Sequence, residues 1–355
     1  MVANTFLAGD LGGTKTLLSL YGQRNGEILP LFGQRYVSGE WRCLEDMLRT
    51  FLEAVPADLP KPDTSCIAVA GPVEAGKAKL TNLPWLLKEA SLIEATGLRQ
   101  LELVNDFAVL IHGLPHFNQQ QQVVLQSGKD ADPNRTVPPG PVAILGAGTG
   151  LGMARGLPGS RGWVALASEG GHREFSPRTD EEWNLANWLR SDLDLDRLSV
   201  ERIVSGTGLG HVMRWRLQKP DGAGHPLHRA AEAWRTRPVD APDYEDLPAL
   251  VGQAAQQGDS LALNALDLWL GAYGSAAGDL ALQELCRGGL WVGGGTAAKQ
   301  LSGLQSAAFL EPMRRKGRFR PFMESLTVRA VIDPNAGLFS AACRARDLAQ
   351  SPTGS

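Results

Sequence analysis

Two segments of the sequence share one pattern, an apolar strand, a turn rich in glycine and threonine, and a second short strand. The first segment covers residues 5–21, with its turn at Gly12 and Gly13, and the second begins at residue 142, with its turn at residues 146–152. Backbone N–H groups in such turns can face an anion such as phosphate. Because the two segments lie far apart in a chain of 355 residues, they predict two domains, each with a phosphate-binding turn.

The first turn, GDLGGTKT, differs from a P-loop by a single letter. A P-loop has glycine directly before Lys-Thr and opens a helix, whereas here Thr14 precedes Lys15 and a short β-rich run follows. We therefore predict a β-hairpin whose turn at residues 12–14 offers backbone N–H groups to phosphate. Asp10 suits a divalent cation that accompanies the phosphate and is held through water. A plain β-hairpin with a glycine turn is the alternative.

Composition argues against several classes of partner. The net charge of −3, from 35 basic and 38 acidic residues, favours neither nucleic acid nor a membrane. Asp267 and Asp279 interrupt the apolar stretch 261–282, so we expect a buried helix there and not a membrane span. The four cysteines show no metal-ligand or disulfide spacing, and the N-terminus has no basic region typical of a signal peptide. We therefore expect a cytoplasmic protein.

Strands and helices alternate along the chain, which predicts an α/β fold with helices covering the sheets. Apolar residues at helical spacing predict a helix over residues 44–55, and the last predicted helix, over residues 335–348, would return to the first domain. We expect a small domain of residues 1–116 plus 334–350 and a large domain of residues 117–333. The polar, proline-rich stretch 225–246 is expected to be a surface excursion.

Asn105 and Asp106 lie where a predicted strand stops and a helix begins, which is where site residues cluster in open α/β sheets. Asp106 has two interpretations. It would cap the following helix, or it would orient a substrate hydroxyl and accept its proton during phosphoryl transfer. The sequence alone leaves both open.

Three further polar residues suit a substrate with several hydroxyl groups. Glu169 and His172 flank a pair of glycines in the run SEGGH, which lets both side chains point the same way, and Glu201 precedes another glycine-rich run. The alternatives are a structural histidine at position 172 and a surface salt bridge at Glu201.

The run from Gly293 has the form G-x-G-x-x-A after a strand, which is a variant of the dinucleotide fingerprint. No acidic residue follows about 20 positions later at the end of a second strand, as that fingerprint requires. Together with the glycine turn at 206–208, the run fits a surface against which an adenine ring lies, because glycine permits close backbone approach.

This ordered set resembles the bacterial glucokinase family, within the two-domain sugar kinases related to actin and the heat-shock chaperone ATPases. The resemblance spans Leu7 to about Ala345, and the chain lacks the zinc-binding cysteine motif of the related repressor/kinase branch. It implies an actin-like (ribonuclease H-like) α/β fold of two domains with a cleft between them. It also implies ATP-dependent phosphorylation of D-glucose at O6, in glycolysis, by a homodimer that uses Mg²⁺.

The resemblance also assigns residues, position by position. The nucleotide-binding set is Gly9, Asp10, Leu11, Gly12, Gly13, Thr14, Gly148, Thr149, Gly206, Thr207, Gly293, Gly294 and Gly295. The sugar-binding set is Asn82, Asn105, Asp106, Glu169, His172 and Glu201, with Asp106 as the catalytic base. Asp10 would bind the metal through water. The third glycine, Gly295, departs from the family, which usually carries a β-branched residue directly after the glycine pair.

Three rival functions remain open at this stage. The first is a kinase for another hexose or an amino sugar on the same scaffold. The second is a non-catalytic, sugar-sensing ATP-binding protein or a chaperone-like ATPase, against which the full set of sugar ligands and base argues. The third is a nicotinamide-dependent oxidoreductase, which rests only on the glycine run at Gly293.

Overall fold

A computed structural model describes residues 4–80, 83–128, 137–160, 162–239 and 241–350. The strands are β1 (Thr5–Leu11), β2 (Lys15–Arg24), β3 (Glu27–Val37), β4 (Thr64–Val69), β5 (Val73–Glu74), β6 (Lys77–Lys79), β7 (Leu86–Lys88), β8 (Gln100–Asn105), β9 (Gln122–Gln126), β10 (Val142–Ala147), β11 (Leu151–Gly159), β12 (Gly162–Ser168), β13 (Gly289–Gly293) and β14 (Val328–Val331). The helices are α1 (Leu44–Ala54), α2 (Glu89–Thr96), α3 (Leu110–Gly113), α4 (Asp180–Asp192), α5 (Gly206–Leu217), α6 (His228–Thr236), α7 (Leu247–Gln256), α8 (Ser260–Glu284), α9 (Leu301–Leu304), α10 (Ala307–Arg314), α11 (Arg320–Ser325) and α12 (Ala336–Gln350).

The chain divides into two compact units. The first unit comprises Met1–Gln121, Ala154–Ala167 and Asp333–Ser355, and the second comprises Gln122–Met153 and Ser168–Ile332. The C-terminal helix groups with the first unit, and so does the segment Ala154–Ala167, for which the pattern of strands and helices gives no signal.

The main sheet of the first unit has the strand order β3-β2-β1-β4-β8. The two-residue turn between β2 and β3 has positive φ at both Asn25 (53°) and Gly26 (84°), the geometry of a type I′ hairpin. Strands β1, β4 and β8 run parallel, and Leu11 pairs with Val69, which pairs with Asn105. Because parallel strands end at one edge of the sheet, the polar residues that follow β1 and β8 lie at the same edge.

Side chains of β1 alternate between two hydrophobic clusters, one on each face of the sheet. Leu7 and Leu11 pack with the buried residues of α1, and Phe6 and Ala8 pack with α12. Helix α1 has the predicted amphipathic pattern, and the residues that it buries are Leu44, Met47, Leu48 and Phe51. Helices therefore cover the first sheet on both faces, as expected for an α/β fold.

The second unit contains β9, β10, β13 and β14 of a six-stranded sheet that has the order β12-β11-β10-β13-β14-β9. Its core is dominated by α8, which fully buries Trp269 and Tyr273. The prediction of a buried helix over residues 261–282 is therefore confirmed. Among the described residues, no helix combines the length and the apolar character that crossing a bilayer requires.

Helix α6 forms inside the stretch that the sequence indicated as a surface excursion. It buries Ala230 and Ala231, and the ring of Trp234 packs edge-on against His211 of α5, with 5.2 Å between the ring centroids. Because small alanines carry much of the buried face and charged residues surround them, the stretch does not show the usual run of large apolar side chains.

Candidate active site

The first phosphate turn joins β1 to β2 and is held by its own backbone and by Ser38. The Gly12 N–H donates to the Lys15 carbonyl at 3.0 Å, so it is used within the turn. Ser38 Oγ donates to the Gly12 carbonyl at 2.8 Å, and the Ser38 N–H donates to the Thr14 carbonyl at 3.0 Å. With the carbonyls fixed in this way, the N–H groups of Gly13 and Thr14 have no acceptor in the described part of the chain and are available to an anion.

Gly9 and Leu11 have structural roles in the first sheet. Both are buried within β1, and the Leu11 side chain belongs to the hydrophobic core. A β-carbon built on Gly9 would lie only 2.6 Å from Ile67 Cδ1, so close packing between β1 and β4 explains the glycine. Neither residue presents a side chain to a ligand.

Asp10 lies between these two residues, and its carboxylate faces the first turn of α12. A β-carbon built on Gly337 would lie 3.3 Å from Asp10 Oδ2. Burial raises the pKa of the Asp10 carboxyl, and the charge of Lys15 opposes that shift in pKa. Asp10 is therefore a desolvated carboxylate at the edge of the sheet, where a cation would be stabilised.

Asn105, and not Asp106, caps the turn that follows β8. Asn105 Oδ1 accepts from the N–H groups of Phe107 and Ala108, both at 3.0 Å. Its Nδ2 donates to the Gly71 carbonyl at 3.1 Å and to Asp106 Oδ1 at 3.0 Å. The amide of Asn105 therefore fixes the orientation of the Asp106 carboxylate.

Asp106 does not cap the turn after β8, which was one of the two roles that the sequence left open. Its Oδ1 accepts from Asn105 and from the Phe107 N–H at 3.1 Å. Burial, and secondly the nearby charge of Asp10, raise the pKa of Asp106 to about 6, although these hydrogen bonds oppose the shift. A carboxylate with such a pKa accepts a proton near neutral pH more readily than an ordinary aspartate does.

The second phosphate turn joins β10 to β11 in the second unit. The Gly148 N–H donates to the Gly150 carbonyl at 2.8 Å. At the start of α5, the Gly206 N–H donates to the Gly148 carbonyl at 2.7 Å and Thr207 Oγ1 donates to the Thr149 carbonyl at 3.1 Å. The N–H groups of Thr149 and Gly150 have no acceptor among the described residues, so they are available to an anion.

The glycine run after β13 packs against the same turn. Thr296 donates to the Ala147 carbonyl through its N–H at 3.2 Å and through its Oγ1 at 2.8 Å. Gly294 has a φ of 81°, and a β-carbon there would lie 2.7 Å from the Ala147 carbonyl oxygen. Three glycine segments that are distant in sequence thus converge at the second turn.

Individual glycines at this surface differ in what they do. A β-carbon on Gly206 would lie 3.0 Å from the Gly148 carbonyl oxygen, and one on Gly293 would lie 3.3 Å from Ile144 Cδ1. Internal packing explains these two positions. In contrast, no heavy atom lies within 4 Å of a β-carbon built on Gly148 or Gly295. Glycine at the latter two leaves open space that a ligand can approach.

Glu169 and His172 come together at a 3₁₀ turn, Gly170–His172, after β12. Glu169 Oε2 lies 3.6 Å from His172 Nε2, and the two side chains are 77% and 57% exposed. A β-carbon on Gly171 would collide with the Leu151 carbonyl oxygen, and one on Gly170 would lie 2.8 Å from Met153 Sδ. The two glycines are therefore needed to pack this turn against the start of β11.

Glu201 lies in a second 3₁₀ turn, Val200–Arg202, beside the first. The Val200 N–H donates to the Arg173 carbonyl at 2.9 Å, which aligns the two segments. Glu201 Oε2 accepts from the Leu151 N–H at 2.8 Å, at the end of the second phosphate turn. No ion pair involves Glu201 among the residues described, so the surface salt bridge considered from the sequence does not form there.

Two features of the site had no signal in the sequence. One is Ser38, whose hydroxyl also shares a 2.9 Å hydrogen bond with Thr16 Oγ1, and the other is the contact between Glu201 and Leu151. Asn82, the remaining predicted sugar ligand, lies outside the described residues. No group of three or more His, Cys, Asp or Glu side chains in the described ranges is arranged to hold a metal ion.

Known structures share this fold. A glucokinase from an Antarctic psychrotroph superposes with a TM-score of 0.78 at 29% identity, covering 97% of this chain and 99% of its own. A glucokinase of the ROK family from Streptomyces griseus, solved with glucose and AMPPNP, matches with a TM-score of 0.58 at 21% identity over 97% of this chain and 99% of its own. The predicted fold class, the actin-like sugar kinase fold, is confirmed.

Sequence comparison defines the family. The family model for glucokinase matches residues 7–348. A glucokinase from a Nostoc strain is 38% identical over 96% of this chain and 98% of its own length, and one from Yersinia pestis is 32% identical over 94% of each. The chain belongs to the glucokinase family.

Proposed function

We propose that this protein transfers the γ-phosphoryl group of ATP to O6 of D-glucose, producing glucose 6-phosphate and ADP and so feeding glycolysis. The observation that carries the proposal is the Asp106 carboxylate, which Asn105 orients and whose pKa is raised to about 6. Membership of the glucokinase family supports the choice of sugar, since the relatives named above are glucokinases.

Asp106 is the catalytic residue in this proposal. Phosphoryl transfer passes through a loose transition state, so alignment and neutralisation of charge supply most of the rate enhancement. Asp106 orients the O6 hydroxyl and accepts its proton late in the reaction. The carboxylate is already held in one orientation by Asn105 and Phe107, so little reorganisation is needed when O6 arrives.

The remaining residues bind the two substrates. The free N–H groups of Gly13, Thr14, Thr149 and Gly150 hold phosphate oxygens. The proposed sugar ligands are Asn82, Asn105, Glu169, His172 and Glu201. The proposed adenosine-binding residues are Gly206, Thr207, Gly293, Gly294 and Gly295.

Magnesium fits the donors at the edge of the first sheet. Mg²⁺ usually keeps several waters and binds through one or two carboxylates together with substrate phosphates, so a closed cage of protein ligands is not needed. Asp10 is a desolvated carboxylate whose charge raises the pKa of Asp106, and a cation near Asp10 would relieve this repulsion. When bound, Mg²⁺ neutralises charge on the phosphates; Asp10 would hold it through water.

Two further parts of the proposal concern the assembly and its location. Resemblance to the family supports a homodimer. The four cysteines are free thiols, which supports a reducing compartment such as the cytoplasm.

The direct test is formation of glucose 6-phosphate from ATP, Mg²⁺ and glucose by the unaltered protein and by Asp106→Asn. Asn keeps an acceptor for the Phe107 N–H but cannot take a proton, so turnover is expected to fall about 10²-fold or more while the melting temperature is retained. Asp58→Asn, at an exposed site in the same unit, is the matched control and should be fully active. Full turnover by a well-folded Asp106→Asn would contradict the proposed base.

A panel of hexoses and amino sugars compared by kcat/KM tests the choice of sugar. A site built from polar ligands rejects a missing or inverted hydroxyl strongly, so glucose should lead the panel by a wide margin. A higher kcat/KM for another sugar would replace glucose as the substrate. No turnover with any sugar, but a rise in melting temperature when sugar is added, would indicate a sensor.

A further inference from the structure

We propose that Glu201 is a positioning residue that couples sugar binding to the second phosphate turn. This inference rests on the proposed function, because it takes Glu201 as a ligand of the sugar. What is new is a second contact of the Glu201 carboxylate, to the backbone of the second phosphate turn. Glu201 Oε2 accepts from the Leu151 N–H at 2.8 Å, and Leu151 is the residue at which the phosphate turn becomes β11.

The fit between the carboxylate and the turn is close. A β-carbon on Gly150 would collide with Glu201 Oε2, so the turn can carry only glycine at this position while the carboxylate stays in place. A hydrogen bond between a backbone N–H and an ionised carboxylate is shorter and stronger than one between neutral groups. The position of the Glu201 carboxylate and the shape of the turn therefore depend on each other.

The segment that carries Glu201 also holds the other side of the turn. Gly206 and Thr207 donate to the carbonyls of Gly148 and Thr149, as described above. This segment is anchored in the core, since buried Trp269 donates through Nε1 to the Ser205 carbonyl at 2.9 Å. Residues 201–207 thus contact three positions of the turn, and the Glu201 contact is the one made by a proposed sugar ligand.

The carboxylate has capacity for a second partner. Glu201 is only partly buried, and Oε1 makes no hydrogen bond to any described residue. An ionised carboxylate accepts up to about four hydrogen bonds, so a sugar hydroxyl can donate to Oε1 while Oε2 keeps the Leu151 N–H. The neighbouring turn carries two more of the ligands proposed for the sugar, Glu169 and His172.

The consequence is coupling between the two substrates. A hydroxyl bound to Oε1 restricts the rotamers of Glu201, which keeps Oε2 on Leu151 and the free N–H groups of Thr149 and Gly150 in position for phosphate. Nucleotide should therefore bind more tightly when sugar is present, and by thermodynamic reciprocity sugar should bind more tightly when nucleotide is present. Couplings of this kind amount to about fivefold or more in affinity.

The experiment measures the affinity for ADP with and without saturating glucose, and the affinity for glucose with and without saturating ADP, on the full chain by calorimetry. We expect the unaltered protein to show the same enhancement, about fivefold or more, in both directions. Glu201→Gln leaves one acceptor oxygen in place of two, so the Leu151 N–H and the sugar hydroxyl can no longer each have their own, and the enhancement should fall to about one. The KM for ATP should rise as well as the KM for glucose, although Glu201 is not a proposed nucleotide ligand.

Two further variants separate coupling from loss of a sugar ligand. Glu169→Gln removes a proposed sugar ligand that has no contact with the turn, so it should weaken glucose binding but keep the enhancement. Gly150→Ala leaves the side chains of all proposed sugar ligands unaltered but displaces the Glu201 carboxylate from the Leu151 N–H, so it should lose the enhancement. Because the displaced group is the end of a flexible side chain, we expect Gly150→Ala to fold, which a thermal melt checks.

The outcomes separate this inference from the proposed function. An enhancement in Glu201→Gln and Gly150→Ala equal to that of the unaltered protein would overturn it, and so would an equal loss in Glu169→Gln. Turnover of glucose without any enhancement in the unaltered protein would overturn the inference and leave the proposed function standing. Failure of the unaltered protein to bind or phosphorylate glucose would overturn both.

Discussion

The two phosphate turns follow one plan but are held in different ways. The first turn follows β1 in the sheet β3-β2-β1-β4-β8, and the second follows β10 in the sheet β12-β11-β10-β13-β14-β9. When the edge strand β9 is left out, the two sheets have the same order of strands along the chain. In each turn a glycine N–H, from Gly12 or Gly148, is used internally. The next two N–H groups have no acceptor among the described residues.

The holding groups differ in chemistry. The first turn is fixed by Ser38, a fully buried neutral side chain that already bonds to Thr16 and Gly12. The second is fixed in part by Glu201, a partly exposed carboxylate with an unused oxygen. A buried hydroxyl cannot contact a substrate, whereas the Glu201 carboxylate can. We therefore call Ser38 the permanent clamp of the first turn and Glu201 the ligand-dependent clamp of the second.

The acidic residues near the two turns also differ in their exposure to solvent. Asp10 and Asp106 of the first unit are desolvated, which raises the pKa of each, while Glu169 of the second unit is largely exposed. The first turn therefore lies beside buried carboxylates with raised pKa values, and the second lies beside an exposed carboxylate. Each of the following predictions tests one side of this contrast.

Among the variants that test this contrast, Asp10→Asn should have the largest effect. Loss of this carboxylate should raise the Mg²⁺ concentration that gives half-maximal turnover by about 10–100-fold, the usual range for a residue that holds a metal indirectly. A titration of turnover with Mg²⁺, with Asp58→Asn as the control, measures this. An unchanged Mg²⁺ requirement would show that the acidic residue beside the first turn has no role with the metal.

The second-largest effect is expected in the dependence of kcat/KM on pH. Asp106 must be ionised to accept a proton, and its pKa is about 6, so kcat/KM should rise with pH through 6 and then level off. At pH 5 the value should be about tenfold below the plateau, as expected for one titrating base. In Asp10→Asn the rise should shift to lower pH, because the charge of Asp10 is one cause of the raised pKa. An unshifted profile would contradict the link between the two carboxylates.

Local chemistry made much of the fold predictable. The type I′ turn at Asn25-Gly26 depends on two adjacent residues that tolerate positive φ, and α1 depends on apolar spacing within 11 residues. Both are decided within a short window. Helix α6 was not predicted, because its buried face is decided by tertiary contacts such as that between Trp234 and His211.

The sequence indicated which residues belong to the candidate site better than it indicated what each residue does. The order of motifs indicated Asn105 and Asp106, but not which of the two caps the turn after β8, because either residue type can cap. The pKa of Asp106 depends on burial and on Asp10, which joins it only through the pairing of β1, β4 and β8. Likewise, the bond from Leu151 to Glu201 spans 50 positions and has no local signature.

A smaller effect is expected where glycine faces open space at the nucleotide surface. In Gly148→Ala and in Gly295→Ala the new methyl group meets no protein atom within 4 Å, and neither residue has positive φ. The melting temperature should stay constant, while the KM for ATP should rise roughly fivefold or more if the methyl group crowds the nucleotide.

Gly33→Ala is the matched control for these two variants, because its methyl group would make only ordinary contacts, from 3.4 Å, on β3 of the other unit. Kinetics with ATP as the varied substrate, combined with thermal melts, distinguish the outcomes. An unchanged KM in both variants would move the nucleotide away from the second turn and weaken the parallel between the turns.

The smallest effect on turnover is expected from Ser38→Ala, which removes the permanent clamp of the first turn. The buried Thr16 hydroxyl and the Gly12 carbonyl each lose a partner, so the free energy of unfolding should fall by about 1–3 kcal/mol. Thr50→Ala, which removes an exposed helix hydroxyl, is the control and should change little. At a temperature where Ser38→Ala stays folded, its enhancement of ADP binding by glucose should equal that of the unaltered protein, because Ser38 is fully buried and is not a proposed ligand of either substrate. Loss of the enhancement here, as in Glu201→Gln, would mean that both turns respond to sugar and that the contrast between the two clamps is wrong.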